Sequence, residues 1–163
     1  MYSLNRKSLL EKSEDIKAIE KLYNGMINCW NNSNADKFAG HFSTEGTIID
    51  FDGTAVNGKV EIEEYLNGVL MKHEPLFHTT IIRSIRFITD DVCIMETAVG
   101  TFFHDKEDID PSLNMVQTVI VKKKNNSWLI EQLQNTPAAF HCHPELSIKL
   151  TEEIRNEYLD RSL

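Results

Sequence analysis

Apolar residues at Ile16, Ile19, Leu22, Tyr23, Met26, Ile27 and Trp30 recur at spacings of three and four, the pattern of a helix that buries one face. The stripe predicts an amphipathic helix of about four turns. Asn31-Asn32-Ser33-Asn34 ends it, and Ser33 followed three residues later by Asp36 has the form of a capping box that opens a second, short helix through Phe42. Thr47 to Phe51 reads as a short β segment, with turn signals at Asp52-Gly53 and Asn57-Gly58. A third helix is predicted from Lys59 to His73, with Ile62, Tyr65, Leu66, Val69 and Leu70 on one side.

After Pro75 the period changes. His78 to Ile88, Val92 to Phe103, Leu113 to Lys123 and Trp128 to Thr136 are long segments rich in β-branched and aromatic residues, separated by Thr89-Asp90-Asp91, Asp105 to Ser112 and Lys124-Asn125-Asn126. Short connections between long strands predict an antiparallel meander. Pro144, then Leu146, Leu150, Ile154 and Tyr158 at four-residue spacing, predict a C-terminal helix over 144–160. Helices first and a curved antiparallel sheet second make an α+β architecture, a bent sheet on a long helix with a conical hollow between them. No composition break or linker divides residues 1–163, so one domain is expected, with residues 1–13 flexible.

One strand breaks its own pattern. By the period of two, Trp128, Ile130, Gln132, Gln134 and Thr136 share a face that begins apolar and turns polar within three positions. Buried amides must find partners, so this face is expected to run out of the core into a cavity or an interface.

Composition narrows the function classes. The 163 residues are 41% apolar and 26% charged, an ordinary globular balance. A net charge of −8 and a pI near 5.2 argue against a nucleic-acid or anionic-membrane surface. No apolar run approaches the roughly 20 residues of a membrane span, and Met1 to Ser13 does not read as a signal peptide. Three cysteines without a C-x-x-C fit a reducing, cytoplasmic setting.

The element order, with Ala35-Asp36-Lys37-Phe38-Ala39, Phe42, Gly46, Asp50-Phe51-Asp52-Gly53, Asn57-Gly58-Lys59 and Ile62, resembles the NTF2-like superfamily and within it the SnoaL-like group. Phe51-Asp52-Gly53, Asn57-Gly58 and the run Gln134 to His141 are together similar to the SgcJ/EcaC type, which is associated with enediyne antibiotic gene clusters and carries an oxidoreductase name. The likeness spans Asp15 to Arg155. It implies an NTF2-like cone, a curved antiparallel sheet wrapped on a long N-terminal helix with an extra C-terminal helix. No Gly-rich dinucleotide loop, flavin signature or redox dithiol accompanies it, so no cofactor is expected. The outer sheet face, rich in β-branched residues, is expected to pair with a second copy as a homodimer.

Asp50 is the leading reactive candidate. It lies two residues after Ile48, so both face the same side, and its place in Thr47 to Gly53 resembles that of the general base of ketosteroid isomerase. Where that enzyme carries a donating tyrosine and a protonated acid, the corresponding positions here are read as Asn28 and Gln117. Gln117 shares a face with Leu113, Met115, Val119 and Val121 and should point inward, beside Gln132 and Gln134, as a ladder or as a pocket wall. Glu96 interrupts Val92, Ile94 and Ala98 and is either an outward residue or an inward carboxylate paired with Arg83 or Arg86. His78 begins a strand at the rim, while Trp30 and Tyr65 lie on helix faces that roof the hollow. His141 and His143 have metal-ligand spacing but no third ligand nearby, so no metal is expected. Three functions fit: a binder of polyketide-like or steroid-like small molecules; an isomerase, cyclase or oxidoreductase using Asp50 on a carbonyl substrate; and a protein-interaction module.

Overall fold

The computed structural model describes residues 6–73, 76–103 and 108–162. Helix α1 (Arg6–Asn31) outruns its apolar stripe. Residues 6–13 continue the helix, because neither Gly nor Pro interrupts the run back from buried Ile19, and elongation is far easier than nucleation. Residues 1–5 lie outside the described residues. Ser33 follows α1 in the left-handed region, φ 53°, so it cannot supply the extended N-cap expected of it. The cap falls on Asn34, whose side chain accepts from the Lys37 N–H at 3.0 Å, and α2 (Ala35–Ala39) ends before Phe42.

Phe42 opens a strand. β1 (Phe42–Ile49) starts five residues before the expected Thr47, and it pairs antiparallel with a short β2 (Ala55–Asn57) that periodicity does not reveal. Gly53 (φ 91°) and Gly58 (φ 104°) occupy the turns in conformations that suit glycine. Helix α3 (Lys59–Lys72) follows, then β3 (Leu76–Thr89), β4 (Val92–Phe103), β5 (Met115–Lys124) and β6 (Ser127–Pro137). These last four strands form the expected antiparallel meander. The sheet order is β2-β1-β6-β5-β4-β3, with β1 parallel to β6.

The main core lies on the inner face, where Cys93, Met95, Val119, Val121 and Ile130 meet Ile19, Tyr23, Met26 and Ile62. On the outer face α4 (Pro144–Ser162) crosses β3 and β4, packing Leu150 and Ile154 on Ala98 and Ile109. A Cβ at Gly100 would stand 2.9 Å from Ile154 Cγ2, so a bare backbone there permits the close approach. The C-terminal helix thus packs on its own chain and covers part of the face expected to be open, leaving Val116 and Thr118 exposed. No helix among the described residues is long and apolar enough to cross a membrane.

β6 contains an extra residue. Its register on β5 steps from Val121↔Ile130 to Ile120↔Gln132 and leaves Glu131 unpaired, a β-bulge. A bulge shifts the alternation by one. Trp128 and Ile130 point inward before it, and Leu133 and Asn135 do so after it. Gln132, Gln134 and Thr136 therefore do not share the Trp128 face, as simple alternation predicts; they turn to the outer one.

Candidate functional site

The inner face of the sheet and the helices enclose a hollow of about 300 Å³. Its walls are largely apolar, with Met26 and Ile27 from α1, Leu66 and Val69 from α3, Met115 from β5 and Leu133 from β6. Asp50, Gln117, Trp30, Tyr65 and His78 all border it.

Asp50 is held by its turn. Its backbone N–H donates to Thr54 O at 2.8 Å, and its own carbonyl accepts from Gly53 at 2.9 Å. Three donors converge on the carboxylate. Oδ1 accepts from the Phe51 N–H at 2.7 Å and from Asn135 Nδ2 at 3.1 Å, and Oδ2 accepts from the Tyr65 hydroxyl at 2.7 Å. Burial, then the hydrogen bond to the anionic Asp50, pushes the Tyr65 phenol well above its ordinary range, so it remains a donor.

Behind Asp50 the polar line continues inward. Gln117 Nε2 donates to Asn135 Oδ1 at 2.8 Å, and the Tyr23 hydroxyl donates to Gln117 Oε1 at 2.6 Å. Thr97 Oγ1 lies 2.9 Å from the phenol and 3.1 Å from the same Oε1. Tyr23, Thr97 and Gln117 are buried, and loss of hydration pushes the Tyr23 phenol far up.

His78 stands on another wall. Its ring stacks on Trp30, centroids 4.9 Å apart and planes 14° from parallel. The end of α1 clamps this part of the edge strand: Asn31 Nδ2 donates to His78 O at 2.9 Å, the His78 N–H donates to Asn31 Oδ1 at 2.8 Å, and Trp30 Nε1 donates to Leu76 O at 2.9 Å. Loss of hydration lowers the imidazole pKa to about 4, with the negative charge of Asp50 opposing the shift. At neutral pH the ring is uncharged, offering one donor and one acceptor.

Other expected residues lie elsewhere. The bulge turns Gln132 and Gln134 away from the hollow. Glu96 is exposed on the outer face, 3.4 Å from Ser84 Oγ, and Arg83 makes a two-pronged ion pair with Glu153 of α4 instead. Asn28, read as the isomerase tyrosine position, faces solvent; the α1 tyrosine facing the sheet is Tyr23, one turn and a residue earlier. His141 and His143 are exposed before α4, with His143 Nδ1 3.1 Å from Glu145 Oε1. Among the described residues no three His, Cys, Asp or Glu side chains group as metal ligands would. Asn135 and Tyr23 escape the sequence reading. The signal for Tyr23 was its hydroxyl, since a buried tyrosine needs a partner; for Asn135 there was none without the bulge.

The His78 shift has a consequence for stability. The folded state holds this ring neutral down to about pH 4, whereas the unfolded chain takes up the proton near its ordinary 6.5. As pH falls through that window the unfolded state binds more protons, so stability declines. In urea unfolding, the wild type should lose up to about 3 kcal/mol between pH 6.5 and 4, and His78→Phe should remove most of that slope. An unchanged slope in the variant would show that the ring titrates normally.

No protein-family model matches this chain. No curated protein matches it either. Solved structures do. A domain of unknown function with a cystatin-like fold from Nostoc punctiforme superposes with a TM-score of 0.74 at 22% identity, over 91% of this chain and 94% of that one. A putative scytalone dehydratase from Novosphingobium aromaticivorans gives 0.66 at 14% identity, over 78% and 87%. An NTF-2 like protein of unknown function from Shewanella oneidensis gives 0.62 at 17% identity, over 75% and 98%. At these identities the likeness concerns the fold, and the fold of this chain is the NTF2-like cone.

Proposed function

We propose that the hollow binds an uncharged, largely apolar small molecule bearing an oxygen function, of polyketide-like or steroid-like character. One observation carries this reading: apolar walls around about 300 Å³ carry a connected line of hydrogen-bonding groups, Gln117, Asn135, Asp50 and Tyr65, beside a few other polar groups that include neutral His78. The volume and the sparse polar groups match small-molecule sites. Among the described residues no Lys or Arg borders the hollow, whereas Asp50 and Asp52 do, which disfavours an anion. The motif from Gln134 to His141 continues to support kinship with the SgcJ/EcaC type as our inference. An uncharged dye such as N-phenylnaphthylamine should brighten on binding at one site per chain. Val69→Trp, which fills the hollow from its α3 wall, should weaken binding at least about tenfold with the fold intact by circular dichroism. Equal dye binding by the two proteins would place the dye elsewhere and remove the support for this reading.

A second reading is catalytic, and the pairing of Asp50 with neutral His78 in one hollow favours it. Asp50 would take a proton from the carbon next to a carbonyl, and an amide or imidazole N–H would stabilise the enolate oxygen until the proton returns. That a putative dehydratase shares the fold is in keeping with such use. In deuterated water the protein should accelerate exchange of the α-hydrogens of methyl naphthyl ketone, followed by NMR, and Asp50→Asn should abolish at least about a hundredfold of that acceleration. Exchange no faster than in buffer, or undiminished in Asp50→Asn, would leave binding without catalysis by Asp50.

A further inference from the structure

The amides beside Asp50 have a direction. A carboxamide turned over exchanges donor for acceptor with little change of shape. Here Asp50 removes that freedom at one end, and at the other the Tyr23 and Thr97 hydroxyls donate to the oxygen that this orientation presents. Asp50 Oδ1 has only lone pairs to offer, so Asn135, 3.1 Å away, must present Nδ2 to it. Asn135 Oδ1 then faces Gln117, which must present Nε2 across 2.8 Å. Gln117 Oε1 is left facing Tyr23 at 2.6 Å, where the buried phenol keeps its proton and donates it. The opposite orientation would set Asn135 Oδ1 against the carboxylate and leave that end repulsive.

Each amide nitrogen carries two hydrogens and uses one in the line. The second hydrogen of Gln117 Nε2 and that of Asn135 Nδ2 have no partner among the described residues, and both side chains border the hollow. We propose that Tyr23, which does not itself line the hollow, makes the site selective for a hydrogen-bond acceptor, an uncharged carbonyl oxygen of the ketone or ester class, by holding Gln117 and Asn135 with their N–H groups toward the ligand. The inference rests on the hollow being a small-molecule site. A protonated amine would meet two more donors, set against the attraction of Asp52 and of Asp50, whose oxygens already accept three hydrogen bonds. A carboxylate ligand would meet Asp50 and Asp52, with no Lys or Arg among the described lining residues. Tyr23 is thus a positioning residue, acting through Gln117.

Isothermal titration calorimetry on the whole chain with three matched probes tests this: methyl naphthyl ketone, isopropenylnaphthalene (the same shape with CH₂ in place of oxygen) and naphthylethylamine. The ketone should bind about tenfold tighter than the alkene, the worth of one to two sheltered hydrogen bonds. In Gln117→Met that preference should fall to near parity with alkene affinity kept within about twofold. Tyr23→Phe should also lower the preference, and Thr97→Val, which removes the second donor to Oε1, should move it the same way if Tyr23→Phe does not fold. A merely structural role of Tyr23 would weaken ketone and alkene alike. The carbonyl stretch of isotope-labelled bound ketone adds a spectroscopic readout: it should lie at lower frequency in the wild type than in either Gln117→Met or Tyr23→Phe. Ketone and alkene binding the wild type equally, or the amine binding tighter than the ketone, would overturn the inference while leaving the hollow a binding site. Failure of all three probes to bind would overturn the binding reading and this inference with it.

Discussion

One unpaired residue in β6 governs the chemistry of the hollow. Because Glu131 has no opposite number on β5, every side chain beyond it changes face. Leu133 closes the core and Asn135 meets both Gln117 and Asp50, while Gln132 and Gln134 go to the outer surface. Without the bulge, Gln132 and Gln134 would enter the hollow, and the link between Gln117 and Asp50 would lose its middle member. Ser43 Oγ, 3.0 Å from Glu131 Oε2, gives the displaced residue a partner on β1. The same region brings β1 close, since a Cβ on Gly46 would stand 3.1 Å from Ile130 O. The bend of the sheet and the polarity of the site thus arise at one place.

The line from Tyr23 to Asp50 gives stability little reason to exist. Each of its hydrogen bonds contributes only about 1 kcal/mol once the burial of its groups is included, whereas an apolar side chain at Gln117 would contribute burial outright. Its interest is that it is anchored at both ends and leaves amide hydrogens unused at a cavity wall. On another wall, the Asn31 amide occupies the backbone groups of an edge strand as a neighbouring strand would, which holds His78 in its stack on Trp30. Helix α4 covers the outer face of β3 and β4 and takes no part in lining the hollow.

Much of this was legible in the chain. The 3.6-residue stripes placed α1, α3 and α4, and the β-branched runs placed the meander within about two residues at most ends. Gln117 could be aimed inward because Met115, Val119 and Val121 alternate with it without interruption. Asp50 could be tied to Ile48 because only two positions separate them. The failures have a common form: a local rule was met by a nonlocal fact. Alternation predicts Gln132 and Gln134 inward, and a single inserted residue reverses it. Ser33 has the composition of a cap but the backbone of a helix stop. Tyr23 hides in an apolar stripe, so its hydroxyl reads as incidental until the sheet supplies Gln117 and Thr97. The parallel pairing of β1 with β6 depends on closure across most of the chain, which no periodicity records.

The amides that face the hollow are Gln117 and Asn135. Nitrogen-labelled NMR of the side-chain carboxamides, recorded before and after saturation with an uncharged naphthyl ketone, tests this directly. The Gln117 and Asn135 signals should shift and exchange more slowly with water, while those of Gln132 and Gln134 should stay in place. Shifts at Gln132 and Gln134 with Gln117 and Asn135 unmoved would contradict this, because the phase of β6 would then be the one that uninterrupted alternation predicts.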